Sequence, residues 1–323
     1  VVEDITNNDY FGEIANFGDT VRIIKEPEIT VKEYARGAQI SPQDLDDEDF
    51  QLVVDKSNYF AFKVDDIEEA HSHVNFQSMA SDRAGYRLKD QYDMEVLGYL
   101  SGFAQASLSA VASTANTTVS GTKAVSTAGS DELLSSMQLK KGDFGSITTT
   151  SAGTHSIPIA ARLPGASALP TATASPNMIV ARMSRLLDTQ FVDKDGRWLV
   201  VAPHFMEVLM DEDSRLLNQD FGESGAIRNG LALNNLYGFR VYVSNNLPAV
   251  GTGPGTSGTA NQNSNYGLIV AGHASSVATA SQITKTETYR DPDSFADIVR
   301  GMHLYGRKIL RPESIATAKY NVA

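Results

Sequence analysis

Apolar residues alternate along some parts of the chain and recur at three-and-four spacing in others. The change from one pattern to the other is sharpest between Phe50 and Ala112. Phe50, Leu52 and Val54, then Tyr59, Phe60, Phe62 and Val64, are the aromatic and β-branched types that favour a strand. Asp65 follows at once, with Glu68 three residues on, a capping-box arrangement for a helix N-terminus. From there Ile67, Ala70, Val74, Ala84, Leu88, Tyr92, Leu97, Leu100, Ala104, Leu108 and Val111 keep helical spacing with no proline between them. This predicts one helix, roughly 70 Å long if unbroken at about 1.5 Å per residue. So long a beam suits a flat, extended, assembling subunit better than a compact enzyme.

Residues 1–18 are polar and rich in Asn, and read as an arm that orders only against neighbours. Two β runs follow, Thr20–Lys25 and Ile29–Ala35, with Pro27 between them. Arg36–Asp49 forms a tip and Phe50–Val64 returns, giving a long antiparallel arm. An isolated two-stranded ribbon is marginal in water. Its apolar face is therefore expected to lie on an adjacent subunit.

Downstream, Ser113–Ser130 and Ser146–Ser175 are rich in Ser, Thr, Ala and Gly and read as surface loops with small β excursions. Ser175 is placed to cap a helix with Pro176 in its first turn and Ile179, Met183, Leu186, Leu187 and Phe191 on one face. Asp193-Lys194-Asp195-Gly196 turns the chain into a strand, Arg197–Val201, and Pro203 opens a short helix through Met210. Phe239–Ser244 reads as a strand, Gly251–Tyr266 as an exposed loop and Leu268–Ala271 as a buried strand. A small-residue helix is expected over Ala274–Ile283, then strands over Ser294–Leu310 and Ser314–Tyr320. The irregular alternation indicates an α+β lobe with helices flanking a sheet.

The 323 residues suggest two domains, or one with a large elaboration. There is no cysteine, which removes disulfides and thiolate metal sites. No apolar run reaches the ~20 residues of a membrane span, and the N-terminus lacks a signal-peptide pattern, so a soluble protein outside that export route is expected. The formal charge of −12 argues against a broad face that neutralises nucleic-acid phosphates.

No catalytic constellation emerges from the side chains. His71 and His73, two apart on a helix, point to different faces and cannot jointly hold a metal. The Asp44–Asp49 run lacks the glycine and distal glutamate of a calcium loop. Ser120 and Lys123 have an acyl-transfer spacing without its companion motifs, and Gly222-Glu223-Ser224-Gly225 misses the nucleophile-elbow spacing. Gly251-Thr252-Gly253-Pro254-Gly255 loses an amide donor at Pro254 and precedes no helix, so it is no phosphate cradle. Asn116-Thr117-Thr118 matches a glycan acceptor in a chain with no sign of export. Neither cofactor nor metal is assigned.

Several stretches, taken in order, resemble one family. The run from Asp55 through Val64 to Ala70 resembles the end of the extended loop and the start of the spine helix in tailed-bacteriophage (Caudoviricetes) major capsid proteins. Gly18–Ile23 and Ile40–Leu45 resemble the flanks of that loop; Gly196–Pro203 and Gly238–Pro248 resemble the axial-domain strands; Gly306–Glu313 resembles the C-terminal strand. The resemblance implies the tailed-phage major capsid fold: an N-terminal arm (1–18), an extended β-hairpin loop (19–64), a long spine helix in a peripheral domain (65–175), an α/β axial domain (176–296) and C-terminal strands returning to the peripheral domain (297–323). It also implies hexamers and pentamers in an icosahedral shell, scaffolding and portal proteins, room for a decoration protein, and genomic DNA as enclosed cargo without sequence-specific binding. The protein would belong to the virion, assemble in the host cytoplasm, and be no enzyme. A weakly repelling acidic wall would let DNA pack and leave.

The residues themselves add one contact. Asp44, Asp46, Asp47, Glu48 and Asp49 make an acidic arm tip, and Arg83, Arg87 and Lys89 a basic stripe on the spine helix. The tip of one subunit is expected to rest over the stripe of its neighbour. Two unrelated solvated faces are the alternative. The competing functional readings are an encapsulin-like bacterial compartment shell, which shares the architecture, a soluble hydrolase, and an adhesin suggested only by Ser/Thr richness.

Overall fold

The computed structural model describes residues 1–7, 20–24, 49–54, 56–65, 76–101, 133–144, 156–159, 174–209, 235–247 and 265–322, with isolated positions between 29 and 42. Its helices are α1 (Val2–Ile5), α2 (Phe76–Ser101), α3 (Pro176–Thr189) and α4 (Pro203–Leu209). The strands of the N-terminal half are β1 (Thr20–Ile24), β2 (Asp49–Val53), β3 (Lys56–Asp65), β4 (Gln138–Leu139) and β5 (Ser156–Ile159). Those of the C-terminal half are β6 (Arg197–Val201), β7 (Asn235–Leu236), β8 (Phe239–Val243), β9 (Asn265–His273), β10 (Val277–Arg290), β11 (Ala296–Ile309) and β12 (Ile315–Val322).

A seven-stranded mixed sheet forms the centre, in the order β4-β12-β9-β6-β8-β7, with β5 following β4 along the same edge of β12. One face packs under α3 and α4, where Ile179, Met183, Leu199, Phe205, Ile269 and Tyr320 are closed from solvent. The other face holds Trp198, Val200 and Val270 against α1 and the C-terminal half of α2. The apolar run Trp198–Val201 of β6 follows from this: these residues are buried because both faces are covered, and Arg197 at its start is buried with its guanidinium paired.

The second body is a long antiparallel hairpin, β10 and β11, with β3 as the third strand and outer edge. Strands β1 and β2 pair separately at the root of the arm. The single return expected over Phe50–Val64 is thus two strands with different partners. Leu52 and Val54 are buried against Ala278, Ala280 and Leu304 of the same chain, so this part of the arm needs no neighbour.

Three further expectations differ from the structure. Ala274–Ile283 is no helix: a 3-10 turn at Ala274–Ser276 leads straight into β10. Thirteen residue pairings to β11 override alanine's helix preference, and the small side chains admit close approach of the arm root. Phe191 is not on the buried face of α3; it lies beyond the helix end in the left-handed region (φ 56°), and its ring is 96% exposed. Asp65 ends β3, opposite Ala296, and α2 is described from Phe76; the helix start expected after Asp65 lies outside the described residues. Residues 1–7 do not wait for a neighbour: Val2 and Ile5 are fully buried, and Asn7 bridges to β10 through Val277 and Thr279.

Helix α3 and strands β6, β8, β11 and β12 fall within a residue or two of their expected spans. Ser175 holds the cap position and Pro176 the first turn, although the serine side chain makes no capping bond. The expected helix positions before Phe76 and after Ser101 lie outside the described residues, as do most of the two Ser/Thr-rich stretches.

Candidate assembly surface

Helix α2 has two unlike halves. From Tyr92 onward it is clamped to the body, with Tyr92, Val96, Leu97, Leu100 and Ser101 buried. Tyr305 of β11 donates its phenol proton to the Glu95 carboxylate. Arg307 lies 3.7 Å from Glu95 and 4.8 Å from the centre of the Tyr99 ring. Tyr92 meets Tyr305 edge-on at 5.1 Å, and His303 stacks on Tyr305 at 5.5 Å. Burial, then the Glu95 bond, pushes the Tyr305 phenol well above its usual range. Before Tyr92 the helix turns apolar and cationic side chains outward: Met79 is 54% and Tyr86 62% exposed, with Arg83 and Arg87 beside them.

That outer half and the edge strand β3 enclose a groove of about 890 Å³. Phe60 and Phe62 stack at 6.1 Å on one wall; Met79 and Tyr86 stand on the other. Phe60 lies close over Gly301, where any side chain would strike its ring. Arg83 sits 5.8 Å from the Tyr86 ring centre and Arg87 3.3 Å from Asp90; with Asp82 these charges border the groove, whose floor is apolar. Among the described residues β3 pairs with β11 alone and forms the outer strand of its sheet.

The basic stripe is only partly brought together. Arg83 and Arg87, one turn apart, both border the groove, whereas Lys89 is bound to Glu3 of α1 at 2.7 Å. That bond raises the Lys89 ammonium above its usual range. Of the acidic tip, Asp49 begins β2 opposite Ile24; Asp44, Asp46, Asp47 and Glu48 lie outside the described residues. So do His71, His73, Asn116, Ser120, Lys123, the segment 222–225 and the segment 251–255. Among the described residues there is no metal-binding cluster of three or more His, Cys, Asp or Glu, and no helix is long and apolar enough to cross a membrane.

Asp193–Gly196 is the expected turn. Asp193 accepts the Lys194 amide at 2.6 Å, and Gly196 takes a φ of 78°. The buried Arg197 guanidinium ties this turn to α3 through Asp188 at 2.8 Å and the Asp193 carbonyl at 2.7 Å. A second ordered turn joins β10 to β11. There Asp291 accepts from Lys63 at 2.8 Å, from Ser294 at 2.6 Å and from the Asp293 amide at 3.1 Å. These donors, Lys63 foremost, hold the Asp291 carboxyl well below the usual carboxylate range.

Sequence reading did not find the groove or the clamp. Signals for both were present: Met79, Arg83 and Tyr86 have helical spacing, and Phe60 and Phe62 share one strand face. Their meeting depends on how α2 crosses β3, which no local pattern encodes.

No family model matches the sequence, and no curated protein matches it. Solved structures do. A structure from Mycobacterium phage Che8 aligns with a TM-score of 0.63 at 23% identity over 99% of this chain and 90% of its own. The capsid structure of Cyanophage P-SCSP1u aligns at 0.59 and 15% identity over 100% and 88%. The mature capsid of bacteriophage PhiM1 aligns at 0.53 and 16% identity over 93% and 82%. The chain thus has a mixed α+β fold that matches those of phage capsid structures.

Proposed function

We propose that the chain is the major capsid protein of a tailed double-stranded DNA phage, a structural and non-enzymatic subunit that assembles into an icosahedral shell. The observation that carries this reading is a likeness to phage capsid structures that spans nearly the whole chain and about nine-tenths of theirs. In this reading residues 1–18 are an N-terminal arm, 19–64 the extended loop, 65–175 the spine helix and peripheral domain, and 176–296 the axial domain. Residues 297–323 are the C-terminal strands returning to the peripheral domain, a reading supported by the pairing of β11 with β3. Hexamers and pentamers, scaffolding and portal proteins and enclosed DNA belong to the same proposal.

The acidic tip, Asp44–Asp49, is proposed to reach Arg83 and Arg87 of a neighbouring copy, with Lys89 left to its own α1. Exposed ion pairs contribute only about 0–1 kcal/mol each, so such pairs set register while apolar contacts supply affinity.

Expression of the chain followed by light scattering and negative-stain imaging tests the reading. Closed particles support it; a monodisperse monomer at high concentration overturns it. Reversing Arg83 and Arg87 to Glu tests the arm contact, which is discarded if assembly yield and salt sensitivity stay as in the unsubstituted chain.

A further inference from the structure

Phe295 stands on the turn between β10 and β11, and its ring is 80% exposed. The turn beneath it is held rigid by the three bonds to Asp291, and Lys63 also donates to Ser294. A large apolar side chain on a pre-organised turn loses little conformational freedom when it is covered. We propose that Phe295 of one copy seats in the groove between β3 and α2 of a second copy. This rests on the shell-subunit reading and adds a contact which that reading does not name.

Chemistry, charge and placement support this occupant. The groove walls offer Phe60, Phe62 and Met79, and aromatic rings pack favourably edge-on or offset against one another and against sulfur. On the turn Asp291 is held by Lys63 and Asp293 carries a second carboxylate. At the groove Arg83 stacks beside Tyr86, Arg87 pairs with Asp90 and Asp82 also lines the wall, so Asp293 with Arg83 is the complementary pair. Each guanidinium carries five donors, enough for carboxylates from both the turn and the arm tip.

Turn and groove also lie at the same end of the sheet. Asp65 pairs with Ala296, and Phe62 is three strand residues further along, about 10 Å at ~3.4 Å per residue. A knob and a hole on one patch allow two copies to dock reciprocally, or a few to close a ring about an axis near the turn. One phenylalanine buries about 150–250 Å², well below the roughly 1,600 Å² of a stable pairwise interface. The contact therefore acts as one of many summed across a shell rather than holding a dimer alone.

The absence of cysteine makes the test clean. Copies with Phe295→Cys are mixed with affinity-tagged copies with Met79→Cys, assembled into particles and mildly oxidised. A tagged–untagged disulfide dimer on a non-reducing gel, absent from either variant alone, is the expected result. Phe295→Ser should lower the assembled fraction at least fivefold at fixed concentration. Cross-linking of Met79→Cys to Leu45→Cys in its place, or particles with no cross-link, each overturn the assignment. If the unsubstituted chain forms no particles, the shell reading falls first and takes this contact with it.

Discussion

Gly306 stands where the arm root crosses the long hairpin, and a β-carbon there would lie 2.5 Å from the carbonyl oxygen of Val53. The obstacle is backbone in a paired strand, so it cannot swing aside as the Phe60 ring over Gly301 can. Gly306→Ala is therefore expected to destabilise the unassembled subunit by about 1–3 kcal/mol, the usual range for forcing atoms into a packed site. Gly85, in the exposed half of α2 with nothing within 4 Å, is the control. Gly85→Ala should stabilise by roughly 0.5–1 kcal/mol through helix propensity alone. Urea unfolding of both variants checks the pair, and equal effects would refute the account. Phe191 teaches the complementary lesson: its spacing after α3 placed it on the buried face, but the helix ended first. A left-handed residue then carried the ring out to solvent.

At the scale of elements, α2 is held to the hairpin by Tyr305, Glu95, Arg307, Tyr92 and His303. Burial lowers the His303 pKa below its ordinary value of 6.5, with Glu3 opposing only weakly. His204, which shares a hydrogen bond of 2.7 Å with Tyr320, is lowered for the same reason. A histidine depressed in the folded state takes up its proton more readily once unfolded. Its contribution to stability is therefore complete above about pH 6.5 and is lost as pH falls below that value. The unfolding midpoint of the subunit should drop between pH 7 and pH 5.5. Among the described residues the buried Nδ1 of His303 meets no hydrogen-bond partner, so His303→Phe keeps the stacked ring and removes an unsatisfied polar atom. That variant should be no less stable at pH 7 and should show a shallower pH slope; an unchanged slope would place the titration elsewhere. Periodicity made the clamped half of α2 legible through Tyr92, Leu97 and Leu100. It misread Ala274–Ile283, because pairing with β11 is a contact between segments roughly 25 residues apart and leaves no local period.

For the whole molecule, the charge of −12 bears on the proposed enclosure of DNA. Purified subunits should not retard duplex DNA at about 0.1 M salt, where an acidic surface repels phosphates within a Debye length of ~10 Å. Retardation that fades steeply with added salt would reverse the view of the shell wall as a passive, repelling surface. By itself the sequence determined the α+β character, the helix α3, the buried strand β6, the turn at Asp193–Gly196 and the C-terminal strands. Each of these is written in neighbouring residues through side-chain alternation, helical spacing or turn chemistry. Only the tertiary structure decided that the arm return splits between two partners, that α1 packs into the core, that Lys89 is taken by Glu3, and that Phe60 faces Met79 across an open groove. Those features depend on which distant surfaces meet, and burial and pairing across long sequence separations set that outcome against local preference.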